Sequence, residues 1–291
     1  MMDRREFLTT MLQGSLAAAL LPNSITPLLI AQYASLHHLG GAPGQQMRID
    51  AVGIGQFGSC CTRLLAYSTH TISCREVPLD PQRAPLPDLA ELNSSLLHGD
   101  LLFLLADAAQ LSSEPILAAC CRTAAAAGVQ TVMVGPHPPE FQTPTSAIRP
   151  PQPFPPHCTV ADPRIASQLV AMVADLVDTD SFVGIDHGDV KAILRAGNHG
   201  VFACKEAAGA GRGQLASQQA LEELERHGIR AITCRGAMAC IYGNPNMTFD
   251  DYAQASTVLD EYFPHDISFV FGSIVDEHLA DVIKVAILAM H

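Results

Sequence analysis

The sequence GIDHGDVKAIL at residues 184–194 decides how the rest of the chain is interpreted. In it, Asp186 and Asp189 stand three residues apart in front of an apolar run. This spacing predicts a helix with Asp186 as its N-cap and Asp189 as its third residue, because carboxylates there accept hydrogen bonds from free backbone N–H groups and face the positive helix end. Capping alone would explain an isolated pair, whereas the surrounding sequence adds a functional interpretation.

The composition indicates a compact globular protein. Of the 291 residues, 48% are hydrophobic and 16% are charged. A chain of this length is long enough for two domains and a well-buried core. The net charge of −12 argues against nucleic acid or an anionic membrane surface as a partner, because both require a basic face. We therefore expect no nucleic-acid partner.

The N-terminal segment, residues 1–46, contains DRREFLT at 3–9 and then a short apolar run up to Pro22. This pattern resembles a twin-arginine export signal followed by a linker. The alternative is an amphipathic helix that docks on the protein or lies on a membrane, and we expect membrane contact only through this segment. The cysteines indicate a different compartment, because nine of them without a C-x-x-C motif suit a reducing environment. No two cysteines or histidines have the spacing of a structural zinc site with a matching second pair, which argues against zinc. Cytoplasmic and exported or membrane-tethered locations both stay open.

A glycine turn marks the start of the first folded domain. Residues 48–61, RIDAVGIGQFGSCC, predict a strand, a G-x-G-x-x-G turn with Gly53, Gly55 and Gly58, and a following helix. Backbone N–H groups in this arrangement can hold phosphate. By itself the motif also fits a dinucleotide-binding fold or any tight strand-to-helix connection. Glu76 is the candidate for the acidic residue that a dinucleotide site places about 20 residues on.

Alternating strands and helices follow, which predicts a parallel α/β sheet. The predicted strands are 72–77, 101–106 and 129–135, and the predicted helices are 88–97, 112–127 and 164–177. A segment with nine prolines, residues 135–157, predicts an extended connection.

The second half predicts an α+β unit with a mostly antiparallel sheet. A segment rich in small residues at 196–213 precedes the predicted helix 214–227. The remaining predicted elements are strands 230–242, 267–272 and 281–290 and a helix at 248–263 that Thr248 and Asp251 cap.

These patterns together resemble the FtsZ branch of the tubulin/FtsZ family over residues 48–290. The more specific matches are residues 183–193 for its catalytic ("synergy") loop, GAGRG at 209–213, RGA at 235–237, MTFDDY at 247–252 and FGSIVD at 271–276. The weaker matches in the first domain are residues 53–58, 80–82 and 99–104.

The resemblance implies a fold and an activity. It implies a Rossmann-like nucleotide-binding domain at 47–160, a central helix at 161–180 and an FtsZ C-terminal-like domain at 181–291. In the family, one subunit holds GTP with Mg²⁺, and the next subunit supplies two aspartates that polarise the attacking water. By resemblance the catalytic positions are Asp186 and Asp189, and the nucleotide-binding positions are Gly53, Gly55, Gly58, Asp80 and Gln82.

The first domain departs from the family pattern at its phosphate loops. Where a glycine-rich clamp should follow the strand 101–106, the chain has DAAQLSSEP at 107–115, whose acidic residues repel phosphate and whose proline lacks an N–H. Gln56, Phe57 and Cys60 replace the expected small residues and asparagine of the first loop.

Other family features have no counterpart. The γ-phosphate loop is missing between Gln82 and Asp88, and the base-binding aspartate is missing at 166–168. Gly184 replaces the asparagine that opens the catalytic loop. The family's C-terminal linker and recruiting peptide are not found up to His291, so we expect no recruitment of that kind.

Three hypotheses follow. The leading one is an FtsZ-like protein with a degraded GTP site and no cofactor, which assembles head-to-tail with itself or modulates an FtsZ polymer. The second is an active FtsZ-like GTPase that polymerises on its own. The third is a Rossmann-type NAD(P)-binding protein that uses the glycine turn.

Overall fold

A computed structural model describes residues 47–67, 72–77, 79, 99–110, 114–137, 155–177 and 185–291. The first half contains β1 (Ile49–Ile54), α1 (Gly55–Leu65), β2 (Ile72–Val77), β3 (Leu101–Ala106), α2 (Glu114–Ala126), β4 (Gln130–Gly135) and β5 (His157–Thr159). After these elements the chain continues with α3 (Pro163–Val177), α4 (His187–Ala196), β6 (His199–Ala208), α5 (Arg212–Arg226), a 3₁₀ turn (Ala231–Thr233), β7 (Gly236–Gly243), α6 (Phe249–Tyr262), β8 (Ser268–Val275) and β9 (Val282–Met290).

The described strands form one nine-stranded sheet in the order β2-β1-β3-β4-β5-β6-β9-β7-β8. Strands β2 to β6 pair in parallel, as predicted for the first half. Strand β9 runs antiparallel between β6 and β7, and β8 pairs in parallel with β7. The result is a mixed α/β fold with a largely parallel sheet, and the mostly antiparallel second half is confirmed.

Helices cover both faces of the sheet. In the first half, α1 and α3 pack on one face and α2 on the other, which explains why β3 and β4 are buried throughout. In the second half, α3 and α4 cover one face and α5 and α6 the other. Ten of the fifteen residues of α3 are buried, so this predicted helix forms a common core for strands of both halves.

Two strands were not predicted. The small-residue segment 196–213 contains the ten-residue strand β6, which pairs with β9 over nine residue pairs. Small residues are needed there because a Cβ on Gly200 would lie 2.5 Å from Cys158 Sγ. The three-residue strand β5 was also missed. The predicted strand 230–242 was wrong at its start, since a 3₁₀ turn precedes β7. The predicted helix 88–97 and the signal-like segment 1–46 lie outside the described residues.

A cluster of histidines lies where the two halves of the sheet join. Only two residue pairs link β5 to β6, and one of them is His157 with His199. The His157 side chain is buried, and its ring stacks on His199 with 6.3 Å between the ring centroids. His199 meets His291 edge-on at 4.9 Å. Burial, and then the neighbouring His199, lower the pKa of His157 to about 4.

An arginine joins the starts of α5, α6 and β9. Arg212 donates to both carboxylate oxygens of Asp251, at 3.0 and 2.8 Å, and also to Asp281. Asp251 additionally closes the capping box of α6 with Thr248, as predicted. Burial opposes ionisation of Asp251, but the hydrogen bonds from Arg212 and Thr248 outweigh it and lower its pKa. The Arg212 side chain is only 9% exposed, so its charge depends on these partners.

The buried His157 predicts that the protein loses stability in mild acid. His157 has a pKa of about 4 in the folded chain against an unperturbed 6.5, so the unfolded state binds more protons between these values. Its contribution to stability is complete above pH 6.5 and is lost as the pH falls towards 4. We expect the free energy of unfolding in urea to fall by about 2 kcal/mol from pH 7 to pH 5 on account of His157. His157→Gln should remove that share, and an unchanged pH dependence in this variant would contradict the assignment.

The contacts of Arg212 with Asp251 and Asp281 predict that replacing Arg212 lowers the free energy of unfolding strongly. Arg212→Met should destabilise the fold by about 3 kcal/mol, because it leaves the largely buried Asp251 carboxylate without its partner. Arg226→Met is the matched control, since Arg226 also pairs with a carboxylate but is 62% exposed. We expect the control to change the free energy of unfolding by less than about 0.5 kcal/mol. Equal effects of the two substitutions in urea denaturation would contradict the structural role of Arg212.

Candidate functional site

The two aspartates of the 184–194 stretch begin α4 as predicted. Asp186 is the N-cap, and its Oδ1 accepts a hydrogen bond from the N–H of Gly188 at 2.6 Å. Asp189 is the third helical residue. Asp186 is exposed and Asp189 half-buried. Among the residues that the structure describes, the Asp189 carboxylate has no hydrogen-bond or ion-pair partner. Within the described residues, the Asp186 carboxylate thus keeps one oxygen without a partner, and Asp189 is partly accessible.

Helix α4 is attached to the sheet by a short apolar stripe. Val190, Ile193 and Leu194 are buried in the core, at the i, i+3, i+4 spacing that places side chains on one helix face. The helix contacts β7 and β8, and its end at Ala196 comes close to Gly236. The exposed side of the helix carries Gly188, Ala192 and Arg195, while Asp186 is exposed at the N-cap and Asp189 lies half-buried beside the stripe.

Lys191 fixes where α4 lies along the parallel sheet. Its Nζ is 3.4 Å from Asp100 Oδ1, and its backbone carbonyl accepts a hydrogen bond from Gln130 Nε2 at 3.2 Å. Asp100 also accepts from the N–H of Arg48 at 3.1 Å. Burial opposes ionisation of Asp100, but the Arg48 N–H and Lys191 lower its pKa. These partners stand at the amino ends of β1, β3 and β4, so Asp186 and Asp189 lie at the amino edge of the sheet.

The predicted nucleotide glycines lie at the opposite edge. Gly55 opens α1 at the carboxyl end of β1 with a φ of +68°. Gly53 and Gly58 serve close packing, because a Cβ on Gly53 would lie 2.3 Å from the Gly58 carbonyl oxygen. A Cβ on Gly58 would lie 2.1 Å from the carbonyl oxygen of Leu105 in β3. The predicted strand, turn and helix are confirmed. The close packing of α1 on β1 and β3 by itself explains why positions 53 and 58 are glycine.

A carboxylate occupies the turn after β3, at the same carboxyl edge. The Oδ1 of Asp107 accepts a hydrogen bond from the N–H of Ala109 and lies 3.0 Å from Nδ1 of His137, which follows β4. The Oε1 of Gln110 would lie 3.1 Å from a Cβ on Gly55. This edge thus presents an Asp–His pair and an amide beside the glycine turn.

The two predicted sets of site residues are not brought together within one molecule. The strands that separate them are six residues long, which is about 20 Å. Asp80 and Gln82 lie outside the described residues. Glu76 bonds to Arg63, with 3.3 Å between Oε1 and Nε. A reaction that needs both sets requires two molecules placed head to tail.

Sequence reasoning missed the residues that hold the site in place. Asp100, Gln130 and Lys191 were not singled out, and neither was the pairing of Asp107 with His137. Lys191 contacts partners 91 and 61 residues away along the chain, so no local pattern could indicate them. The positions of Asp100 before a buried strand and of Gln130 at the start of another were the available signal.

The described residues show no metal-binding cluster, no disulfide and no membrane-spanning helix. No group of three or more histidine, cysteine, aspartate or glutamate side chains there could hold a metal ion. All nine cysteines are free thiols, and burial raises the pKa of several, for example that of Cys158 to about 12. None of the described helices combines the length and the apolar character of a bilayer-crossing segment.

Comparison with known sequences finds FtsZ proteins. Cell division protein FtsZ of Bartonella bacilliformis is 28% identical over 120 residues, which are 41% of this chain and 20% of that protein. Cell division protein FtsZ 2 of Rhizobium meliloti (strain 1021) is 25% identical over 130 residues, which are 45% of this chain and 37% of that protein. The matched part thus spans well under half of these relatives' length. No family model matches the chain.

Comparison with solved structures covers nearly the whole chain. An FtsZ variant from M. jannaschii has a TM-score of 0.72 at 14% identity and covers 91% of this chain and 95% of its own. The empty FtsZ dimer from M. jannaschii has a TM-score of 0.69 at 16% identity, with 90% and 92% covered. The GTPγS-bound protofilament of CetZ2 from Haloferax volcanii has a TM-score of 0.53 at 14% identity, with 84% and 93% covered. The fold is therefore FtsZ/tubulin-like, and the sequence matches support homology to that family.

The glycine turn provides a test that does not depend on a nucleotide. Gly58→Ala should destabilise the fold by about 3 kcal/mol, because the added Cβ would meet the backbone of β3 at 2.1 Å and α1 would have to move. Gly128→Ala is the control, since Gly128 has a φ of +73° but nothing within 4 Å of an added Cβ. We expect the control to cost about 1 kcal/mol from backbone strain alone. If urea denaturation gives similar values for both variants, close packing is not the reason for Gly58.

Proposed function

We propose that this chain is an FtsZ-like protein of cell division. It places its α4 edge, which is the amino edge of the sheet with Asp186 and Asp189, on the nucleotide face of an FtsZ subunit. In this way it caps or modulates the FtsZ filament without hydrolysing GTP itself. The observation that carries the proposal is the distribution of the site over the two edges of one sheet. Asp186 and Asp189 lie at the amino edge, while a carboxylate lies in the turn after β3 at the carboxyl edge.

The amino edge supports the role of a donor. A carboxylate that is to orient water against a phosphate on a neighbouring subunit must be at least partly accessible and held on a rigid element. Asp186 and Asp189 are on the first turn of α4, whose apolar stripe is buried. The N-cap hydrogen bond uses one oxygen of Asp186 and leaves the other available.

The carboxyl edge argues against GTP with Mg²⁺ as a bound group. A triphosphate carries several negative charges and needs a row of free N–H groups or cationic side chains. The N-terminus of α1 could contribute some N–H groups, but the Ala109 N–H already bonds to Asp107. The Asp107 carboxylate, which also lies 3.0 Å from His137 Nδ1, adds negative charge to this edge where a phosphate needs donors. The described residues of this edge therefore argue against a bound nucleotide, and in this proposal the donor role needs a different molecule as receiver.

The comparisons support a filament-type assembly. The matched sequences are FtsZ proteins, and the similar structures include an FtsZ dimer and a CetZ2 protofilament. We further propose the domain division 47–160, 161–180 and 181–291. The partner is an FtsZ protein, with association between copies of this chain as the competing arrangement.

Removing the two carboxylates tests the proposal. The native chain should bind FtsZ and reduce the mass or the length of sedimented FtsZ polymer. The double variant Asp186→Asn/Asp189→Asn should bind about tenfold more weakly, because it lacks both charges while asparagine retains the N-cap. The control Glu222→Gln/Asp266→Asn removes two exposed carboxylates from other surfaces and should behave like the native chain.

Two results would contradict the proposal. One is an FtsZ polymer whose mass and length do not change when the native chain is added. The other is a saturable rise in the chain's own melting temperature with GTP and Mg²⁺, because a ligand that binds only the folded state stabilises it by RT ln(1 + [L]/Kd). The second result would favour the active GTPase instead.

A further inference from the structure

We infer that Asp100 and Gln130 are positioning residues, which hold α4 through Lys191 in the orientation that presents Asp186 and Asp189. This inference rests on the proposed docking to FtsZ and specifies which residues outside the α4 edge control it. Its basis is a polar contact between α4 and two strands of the first half of the sheet.

The apolar contacts of α4 do not define its orientation by themselves. Val190, Ile193 and Leu194 supply the attraction to the core, but burial of apolar surface is not directional. All three anchors lie within residues 190–194 of this ten-residue helix, so they come after Asp186 and Asp189 in the chain. Fixing the first turn within the tolerance of a specific interface needs directional contacts.

The directional contacts converge on Lys191, two residues after Asp189. The side chain of Lys191 pairs with Asp100 before β3, and its backbone carbonyl accepts from Gln130 at the start of β4. One contact comes from the side chain and the other from the helix backbone, so together they restrain both rotation and translation. Asp100 is in turn held by the N–H of Arg48.

Gln130 shows that orientation is the purpose of these contacts. Its side chain is 92% buried, and its Oε1 has no hydrogen-bond partner among the described residues. A buried acceptor without a partner costs free energy, and an apolar side chain would remove this cost together with the hydrogen bond from Nε2, so we expect the two effects to offset each other. Gln130 therefore contributes direction rather than stability.

This reasoning predicts that affinity and stability respond in different directions. Gln130→Met should leave the melting temperature unchanged or raise it, yet weaken binding to FtsZ about fivefold. A residue with only a structural role could not give this combination. Lys191→Met should weaken binding about threefold, which is a typical contribution of a partly exposed ion pair.

Two controls separate positioning from a direct effect of charge. Lys205→Met removes the same charge from a Lys–Glu pair of the same 3.4 Å length and similar exposure on β6, and it should not change the affinity. The exchanged pair Lys191→Asp/Asp100→Lys keeps the local net charge and should restore binding to within about twofold of the native chain.

Fluorescence titration of labelled FtsZ with each variant, together with thermal unfolding, decides the matter. If the native chain binds, Asp186→Asn/Asp189→Asn does not, and Gln130→Met and Lys191→Met bind like the native chain, then the positioning role is wrong while the proposed function stands. If the native chain itself does not bind FtsZ, the proposed function fails and the inference fails with it.

Discussion

Parallel strands have a polarity that the rest of this structure depends on. They place all amino ends at one edge of the sheet and all carboxyl ends at the other. Helix α4 contacts the amino ends of β3 and β4, whereas the glycine turn and Asp107 follow the carboxyl ends of β1 and β3. No movement of side chains can close a gap of about 20 Å, so the two edges can only act on different molecules. Assembly is therefore the form of function that this geometry favours.

The same polarity keeps the contacts of the two edges apart. The carboxylate in the turn after β3 lies at the other end of the strands from the contacts of α4. The central strands β3 and β4 between the edges are fully buried, and a close-packed interior is stiff, so the distance between the edges is fixed.

Local physical signals made much of the fold predictable. Buried apolar runs indicated β3 and β4, the spacing of Asp186 and Asp189 indicated the start of α4, and Thr248 with Asp251 indicated the capping box of α6. Strand β6 was missed because a segment rich in alanine and glycine is typical of a loop. In the structure, close contact with Cys158 and Met290 requires a small residue at position 200. The site was predictable only at its aspartates and glycines, because Asp100, Gln130 and His137 meet their partners through long-range contacts. A degraded GTP site and an N-terminal export signal stay predictions.

The most direct test is to observe where the chain lies on an FtsZ filament. Electron microscopy of FtsZ filaments with a gold-labelled form of this chain should show label at one end only, the end that exposes the nucleotide face. That result is expected if α4 docks as proposed, because the two aspartates lie at only one edge of the sheet. Label along the filament walls, or at both ends with equal frequency, would contradict a one-sided docking through α4.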